Sequence, residues 1–283
     1  MRILDAEVHT LPPEWCTDAY APESTENIIL PAMYEHPQRD KALAGAHEEG
    51  LLAEMERVGV DGAVIMGLPW KSAQRCERNN EYVAQVCARN SKKFKGLGIL
   101  PPPESEVPEH AVLRLKETYG FTGIKVIPSW HGYRLDSSIL EPALALMEKE
   151  GLVLMSHTDH LFLNPQDSDT AYSLLEVARR HPELKIFCPH LGGLLCLYAL
   201  HAPIKPALKN LLFLGSVSAT PQMISFAQQS IGADAVSFAT DFPFNMENDM
   251  FSVVNDCKDL PMDTDTREKF FYGNLMRFLG WEI

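Results

Sequence analysis

The sequence predicts an α/β protein built as one TIM (β/α)8 barrel, and three observations carry that prediction. Eight apolar, β-branched runs alternate with segments of helical spacing. Most of the runs are apolar on both faces, as parallel strands require when helices cover them outside and side chains fill the space inside. A chain of 283 residues holds eight such units in one domain. A doubly wound open sheet is the rival, but no glycine-rich phosphate loop follows the first run, where a nucleotide-binding version would place it. No linker, low-complexity stretch or composition shift divides the chain, so residues 1–283 are read as a single domain.

The first run, "RILDAEVHT" at 2–10, loses its apolar character at Glu7 and His9. An irregular stretch over about 10–45 follows, where Pro12, Pro13, Pro22, Pro31 and Pro37 discourage continuous helix. After a first barrel strand it would lie at the catalytic face, with Trp15, Tyr20 and Tyr34 as candidate substrate contacts or as part of a packed excursion or subunit contact. "EEGLLAEMERVG" (48–59) has helical spacing and leads into the second run, "GAVIMG" (62–67). "NNEYVAQVCARN" (79–90) is the next helix, before "FKGLGIL" (94–100) and "TGIKVI" (122–127). "SSILEPALALMEKEG" (137–151) precedes "LVLMSH" (152–157), and "DTAYSLLEVARRH" (169–181) precedes "LKIFCPH" (184–190). The seventh and eighth runs are "NLLFLGS" (210–216) and "AVSFATD" (235–241). "MDTDTREK" reads as a helix start capped by Asp263 or Thr264.

A formal net charge of -13 argues against nucleic-acid and anionic-membrane partners. The six cysteines form no C-x-x-C pair or dense framework, which suits reduced thiols. Asp5 and Glu7 interrupt what a signal peptide would need as an apolar core, and no run reaches the length of a membrane span. A cytoplasmic protein with a small-molecule substrate is expected, and a homodimer is compatible with exposed barrel helices.

Polar residues gather where the runs end. The first ends in Glu7 and His9, one residue apart and on one face by alternation. The fourth carries Lys125, the fifth ends at His157, the sixth at His190 and the eighth at Asp241. Each alone reads as a hydrogen-bonded structural residue or a helix cap. In a barrel these ends share one mouth, and imidazoles and carboxylates from separate strands are the donors a divalent metal needs.

"DAEVH", "MSHT", "PHLGG", "ATDFPF" and the terminal "YGNLMRFLG", in that order, resemble the amidohydrolase superfamily. The match is to its amidohydrolase-related branch, which includes the aminocarboxymuconate-semialdehyde decarboxylase group. The resemblance implies Glu7, His9, His157 and Asp241 as metal ligands, Asp241 as the catalytic acid or base, and His190 as a catalytic or substrate-polarising residue. The commoner motif is His-x-His. Glu-x-His is similar to phenol-acid decarboxylases such as gamma-resorcylate decarboxylase. Two carboxylates and two imidazoles make a set for one divalent ion: zinc is the first expectation, with manganese or magnesium open to an oxygen-rich site.

Lys125 stands where binuclear relatives place a bridging carbamate. With His-x-His absent, an unmodified lysine is expected, gripping a substrate carboxylate or pairing with Glu7 or Asp241. Trp130, His131 and His160 are further substrate-contact candidates. The resemblance implies a metal-dependent hydrolase of a small amide, ester or lactone, placed first because the phenol-acid decarboxylases usually carry "LEEHF" at the first strand. Non-oxidative decarboxylation of a hydroxybenzoate-like acid is the alternative. A binding protein on the same scaffold, without catalysis or metal, is the third reading.

Overall fold

A computed structural model describes residues 1–16, 43–158, 171–216, 221–244 and 249–281. Eight parallel strands form one sheet in chain order: β1 (Leu4–His9), β2 (Gly62–Met66), β3 (Phe94–Ile99), β4 (Gly123–Val126), β5 (Val153–Ser156), β6 (Ile186–Cys188), β7 (Leu211–Leu214) and β8 (Val236–Ser237). Every strand falls inside a run read from the sequence. The ring closes through backbone hydrogen bonds between β1 and residues 238–242: Ala6 N–H to Phe238 O (3.1 Å), Asp241 N–H to Glu7 O (2.9 Å) and His9 N–H to Phe242 O (2.6 Å). β8 is shorter than its apolar run: the Phe238 N–H turns to the Phe270 carbonyl (2.9 Å), and at the end of the run Asp241 takes a left-handed backbone, φ 56°.

Helices α1 (Glu48–Val58), α2 (Ala73–Arg89), α3 (Pro108–Tyr119), α4 (Glu141–Glu150), α5 (Ala171–Arg180), α6 (Pro221–Ile231) and α7 (Met250–Lys258) alternate with the strands. β6 is instead followed by short 3-10 turns. α2 begins six residues before the segment read as helical, because Ser72 caps it by accepting the Arg75 N–H through its hydroxyl. Asp263 caps the short helix after α7, as the sequence suggested. No described helix is long and apolar enough to cross a membrane.

Two apolar layers result. Ile3, Val8, Ile65, Ile124, Val126 and Phe213 face the helices, while Leu4, Ala6, Met66, Leu97, Met155 and Leu212 fill the barrel. Lys125, between Ile124 and Val126, therefore faces inward. In β1 strict alternation after Leu4 and Ala6 would send Glu7 outward. The pairing of β1 with β2 shifts register between Asp5 and Val8, and this bulge returns Glu7 and His9 to the inside.

Asn79 of α2 ties the rim together on the β1–β2 side. Its Oδ1 accepts the Leu68 N–H and the Trp70 Nε1–H, both at 3.1 Å, and its Nδ2 donates to the Thr10 carbonyl at 3.0 Å. Gly67 must be glycine here, because a Cβ would lie 2.4 Å from the Asn79 side chain. Asn79→Ala removes the buried side-chain amide that Leu68, Trp70 and Thr10 all bond, so urea denaturation should show a loss of about 2–4 kcal/mol. A loss under about 0.5 kcal/mol would show that the rim does not depend on this amide.

Candidate metal centre

All the polar strand-end residues read from the sequence lie at the carboxyl ends of the barrel strands. Glu7 and His9 sit on β1, Lys125 on β4, His157 just after β5, His190 after β6 and Asp241 after β8. Glu7, His9 and Asp241 each offer an atom within 4.8 Å of the others, and all three are buried. His157 stands outside that trio, in contact with His190.

The His9 ring is fixed from behind. A carbonyl can only accept, so the contact from Nδ1 to Gly67 O at 2.7 Å places the hydrogen on Nδ1. Phe244 packs edge-on against the ring, with centroids 4.9 Å apart. His9 Nε2 then faces Asp241 Oδ1, 3.2 Å away. An imidazole nitrogen and a carboxylate oxygen at that separation share a cation, either a proton or a metal ion.

Glu7 is wholly buried, and both of its oxygens have donors: Lys125 Nζ to Oε1 at 2.8 Å, and the Ser216 hydroxyl to Oε2 at 2.7 Å. Burial alone would raise this carboxyl. The Lys125 ammonium, through its charge and its hydrogen bond, overrides burial and holds it below the usual carboxylate range. Lys125 is itself 1% exposed, so of its two expected roles the structure displays the ion pair with Glu7.

His157 Nδ1 lies 3.3 Å from His190 Nε2, and His157 Nε2 is buried with no hydrogen-bond partner. Burial pushes the His157 pKa well below its ordinary value, and the Lys125 ammonium adds to the shift, which keeps the imidazole neutral as a metal ligand requires. The backbone from His190 to Leu194 runs through five left-handed residues, with φ of 54°, 55°, 63°, 59° and 70°. Glycine bears that conformation freely at 192 and 193, whereas His190, Leu191 and Leu194 each pay about 1–2 kcal/mol.

The donor set therefore fits a divalent ion. Two carboxylates converge with a His9 nitrogen whose hydrogen lies on the far side of the ring, and an orphaned imidazole nitrogen waits on His157.

Two supporting residues, Asp5 and Ser216, were not singled out as site residues in the sequence. Asp5 Oδ1 accepts the amides of Glu7 (3.1 Å) and Thr240 (3.0 Å), and Oδ2 accepts the Thr240 hydroxyl at 2.5 Å, so Asp5 clamps the segments that carry two of the candidate ligands. Asp5 lies in the same strand as Glu7, but a carboxylate there reads equally well as solvated. Ser216 ends the seventh run, where a strand-end inspection would have met it. Among the substrate-contact candidates, Trp130 and Trp15 are buried in the inner apolar cluster with Trp70, and Trp15 meets Trp70 edge-on at 4.8 Å. His131 Nε2 contacts the Trp70 carbonyl at 2.9 Å. His160, Tyr20 and Tyr34 lie outside the described residues.

The amidohydrolase family model matches residues 5–281. The 2-amino-3-carboxymuconate-6-semialdehyde decarboxylase of Dictyostelium discoideum is 24% identical over 274 residues, covering 81% of this chain and 75% of that protein. Among solved structures, 5-carboxyvanillate decarboxylase from Novosphingobium aromaticivorans, complexed with manganese and 4-hydroxy-3-methoxy-5-nitrobenzoic acid, is similar with a TM-score of 0.80 at 19% identity, over 99% of this chain and 96% of that one. The 2,6-dihydroxybenzoate decarboxylase from Rhizobium has a TM-score of 0.76 at 17% identity, over 99% of both chains. At these identities the structural likeness concerns the fold.

Asp5 gives this centre a testable pH signature. Burial pushes its carboxyl up to about 7, against hydrogen bonds from Thr240 and Glu7 that favour the charged form. In the unfolded chain it titrates near 4, so between about pH 4 and 7 the folded chain binds more protons at this group. Its contribution is greatest below about pH 4 and is lost as pH rises to about 7. Relative to Asp5→Asn, the metal-free wild type should lose up to about 4 kcal/mol of unfolding free energy across that window. Urea titrations of both proteins at several pH values check this, and parallel profiles would refute it.

Proposed function

We propose, from the premise that this chain belongs to the amidohydrolase family, that it is a metal-dependent, non-oxidative decarboxylase. Its substrate would be a small acid whose carboxylate neighbours a hydroxyl or keto oxygen, a hydroxybenzoate or a related unsaturated acid. The observation that carries the metal-dependent reading is the convergence of Glu7, His9 and Asp241, three buried groups that each offer a ligand atom within 4.8 Å of the others. Decarboxylation moves ahead of hydrolysis, the reading placed first from the sequence. The relatives named above are decarboxylases, and Glu7 stands where an imidazole is commoner.

Glu7, His9, His157 and Asp241 would hold the ion. Manganese is placed ahead of zinc and magnesium, since two carboxylates favour a hard ion and a fold neighbour is complexed with manganese. A bound divalent ion would supply Lewis acidity toward the substrate carboxylate and its adjacent oxygen. Asp241 is the proton carrier: its carboxylic acid protonates the carbon that bears the substrate carboxylate, that carbon–carbon bond then breaks, and carbon dioxide leaves without redox change. His190, beside His157, polarises the substrate oxygen or steers that protonation. Lys125, committed to Glu7, keeps the ligand carboxylate charged. Trp130, in the apolar cluster with Trp15 and Trp70, supplies an apolar wall suited to a flat substrate.

The test is to load the purified chain with manganese and offer ortho-hydroxybenzoates, with lactones and N-acyl compounds alongside. Carbon dioxide release is expected, abolished by chelation and restored by metal. Asp241→Asn should lower the rate about 10²–10⁴-fold. Acid release from the lactones or N-acyl compounds alone would return the chain to hydrolysis. Failure to bind metal in any form would support the non-catalytic scaffold.

A further inference from the structure

We infer that Ser216, two residues beyond β7, is a positioning residue that joins the ligand carboxylate Glu7 to the His190–His157 pair and so fixes which nitrogen of His157 keeps its lone pair for a metal. This rests on the metal-dependent reading above.

Ser216 is fully buried. Its hydroxyl has one hydrogen and two candidate acceptors, Glu7 Oε2 at 2.7 Å and His190 Nδ1 at 3.3 Å. The shorter contact to a charged oxygen takes it. The lone pairs of Oγ are then left for His190, whose backbone N–H donates to Oγ at 3.2 Å. His190 Nδ1 also lies 3.3 Å from the Ser216 carbonyl, which can only accept. Nδ1 of His190 therefore carries the hydrogen, and in the neutral ring Nε2 is an acceptor. The group facing that Nε2 is His157 Nδ1 at 3.3 Å, so the hydrogen of His157 lies on Nδ1. The lone pair of His157 is left on Nε2, the atom that is buried without a partner.

One residue thus sets two donor groups. Its hydroxyl orients Glu7, and its carbonyl starts a relay of tautomers that ends in an imidazole nitrogen ready to ligate. The His190 amide bond to Oγ also anchors the start of the left-handed turn that carries this ring. Outer partners of this kind hold ligands in orientation and raise their affinity for metal.

Two measurements on the full chain test the inference. In the metal-free protein, nitrogen-15 correlation spectra of the histidine rings should find both His190 and His157 protonated at Nδ1. A His157 protonated at Nε2 overturns the relay. Ser216→Ala should weaken manganese affinity about 10–100-fold, read from the free-ion electron paramagnetic resonance signal, with the circular dichroism spectrum unchanged. An affinity equal to wild type overturns the role of the hydroxyl while leaving the metal-dependent reading standing. If the unmodified chain binds no manganese, both fall together. Should Ser216→Ala not fold, the tautomers of the unmodified chain decide the inference.

Discussion

A carboxylate with no access to water sits inside the barrel, and the rest of the centre is arranged around it. An isolated charge at the Glu7 position would be untenable, since its desolvation penalty is several kcal/mol even after relaxation. Lys125 answers the charge from β4, and the Ser216 hydroxyl meets the second oxygen from beyond β7. In this light the inward lysine on a strand of apolar neighbours is the partner that lets a carboxylate exist at that depth. The charges add usefully under the proposed reading. Glu7 and Lys125 cancel, so a divalent ion beside a proton-carrying Asp241 would leave the centre positive, a favourable field for an acid substrate.

The second constraint is the seam. β8 has only two residues in regular pairing, yet the ring closes, because residues 238–242 hydrogen-bond to β1 in spite of the turned-over backbone at Asp241. Asp5 holds both sides of that closure through the amides of Glu7 and Thr240 and the Thr240 hydroxyl. The residue that closes the barrel also presents a carboxylate to His9. Fold stability and site geometry are therefore coupled at this edge, in contrast to the β1–β2 rim, where Asn79 supports the loops without touching the candidate ligands.

The strands were legible because burial on both faces leaves an unmistakable apolar run, and all eight appear where those runs lie. Strand-end chemistry was legible for His157, His190 and Asp241 because such residues interrupt those runs. The facing of Glu7 was legible only as a pair with His9. Continued alternation from Leu4 and Ala6 gives the wrong side, and a bulge has no clear signature in one sequence. Ser216 and Asp5 escaped attention for a different reason. A serine or aspartate at a strand is common on solvated edges, and only the three-dimensional arrangement shows that water does not reach these two. The substrate-facing segments read at 10–45 and around His160 lie largely outside the described residues.

The left-handed stretch from His190 to Leu194 bears on how the tetrapeptide "HLGG" should be understood. Its glycines answer to the handedness of the main chain, which coils here against the preference of L-amino acids. The motif therefore marks a bend in the scaffold, and only its first letter touches the candidate metal centre, through His157. A homology search keyed on those four letters would gather chains that share this bend, whatever reaction each of them performs.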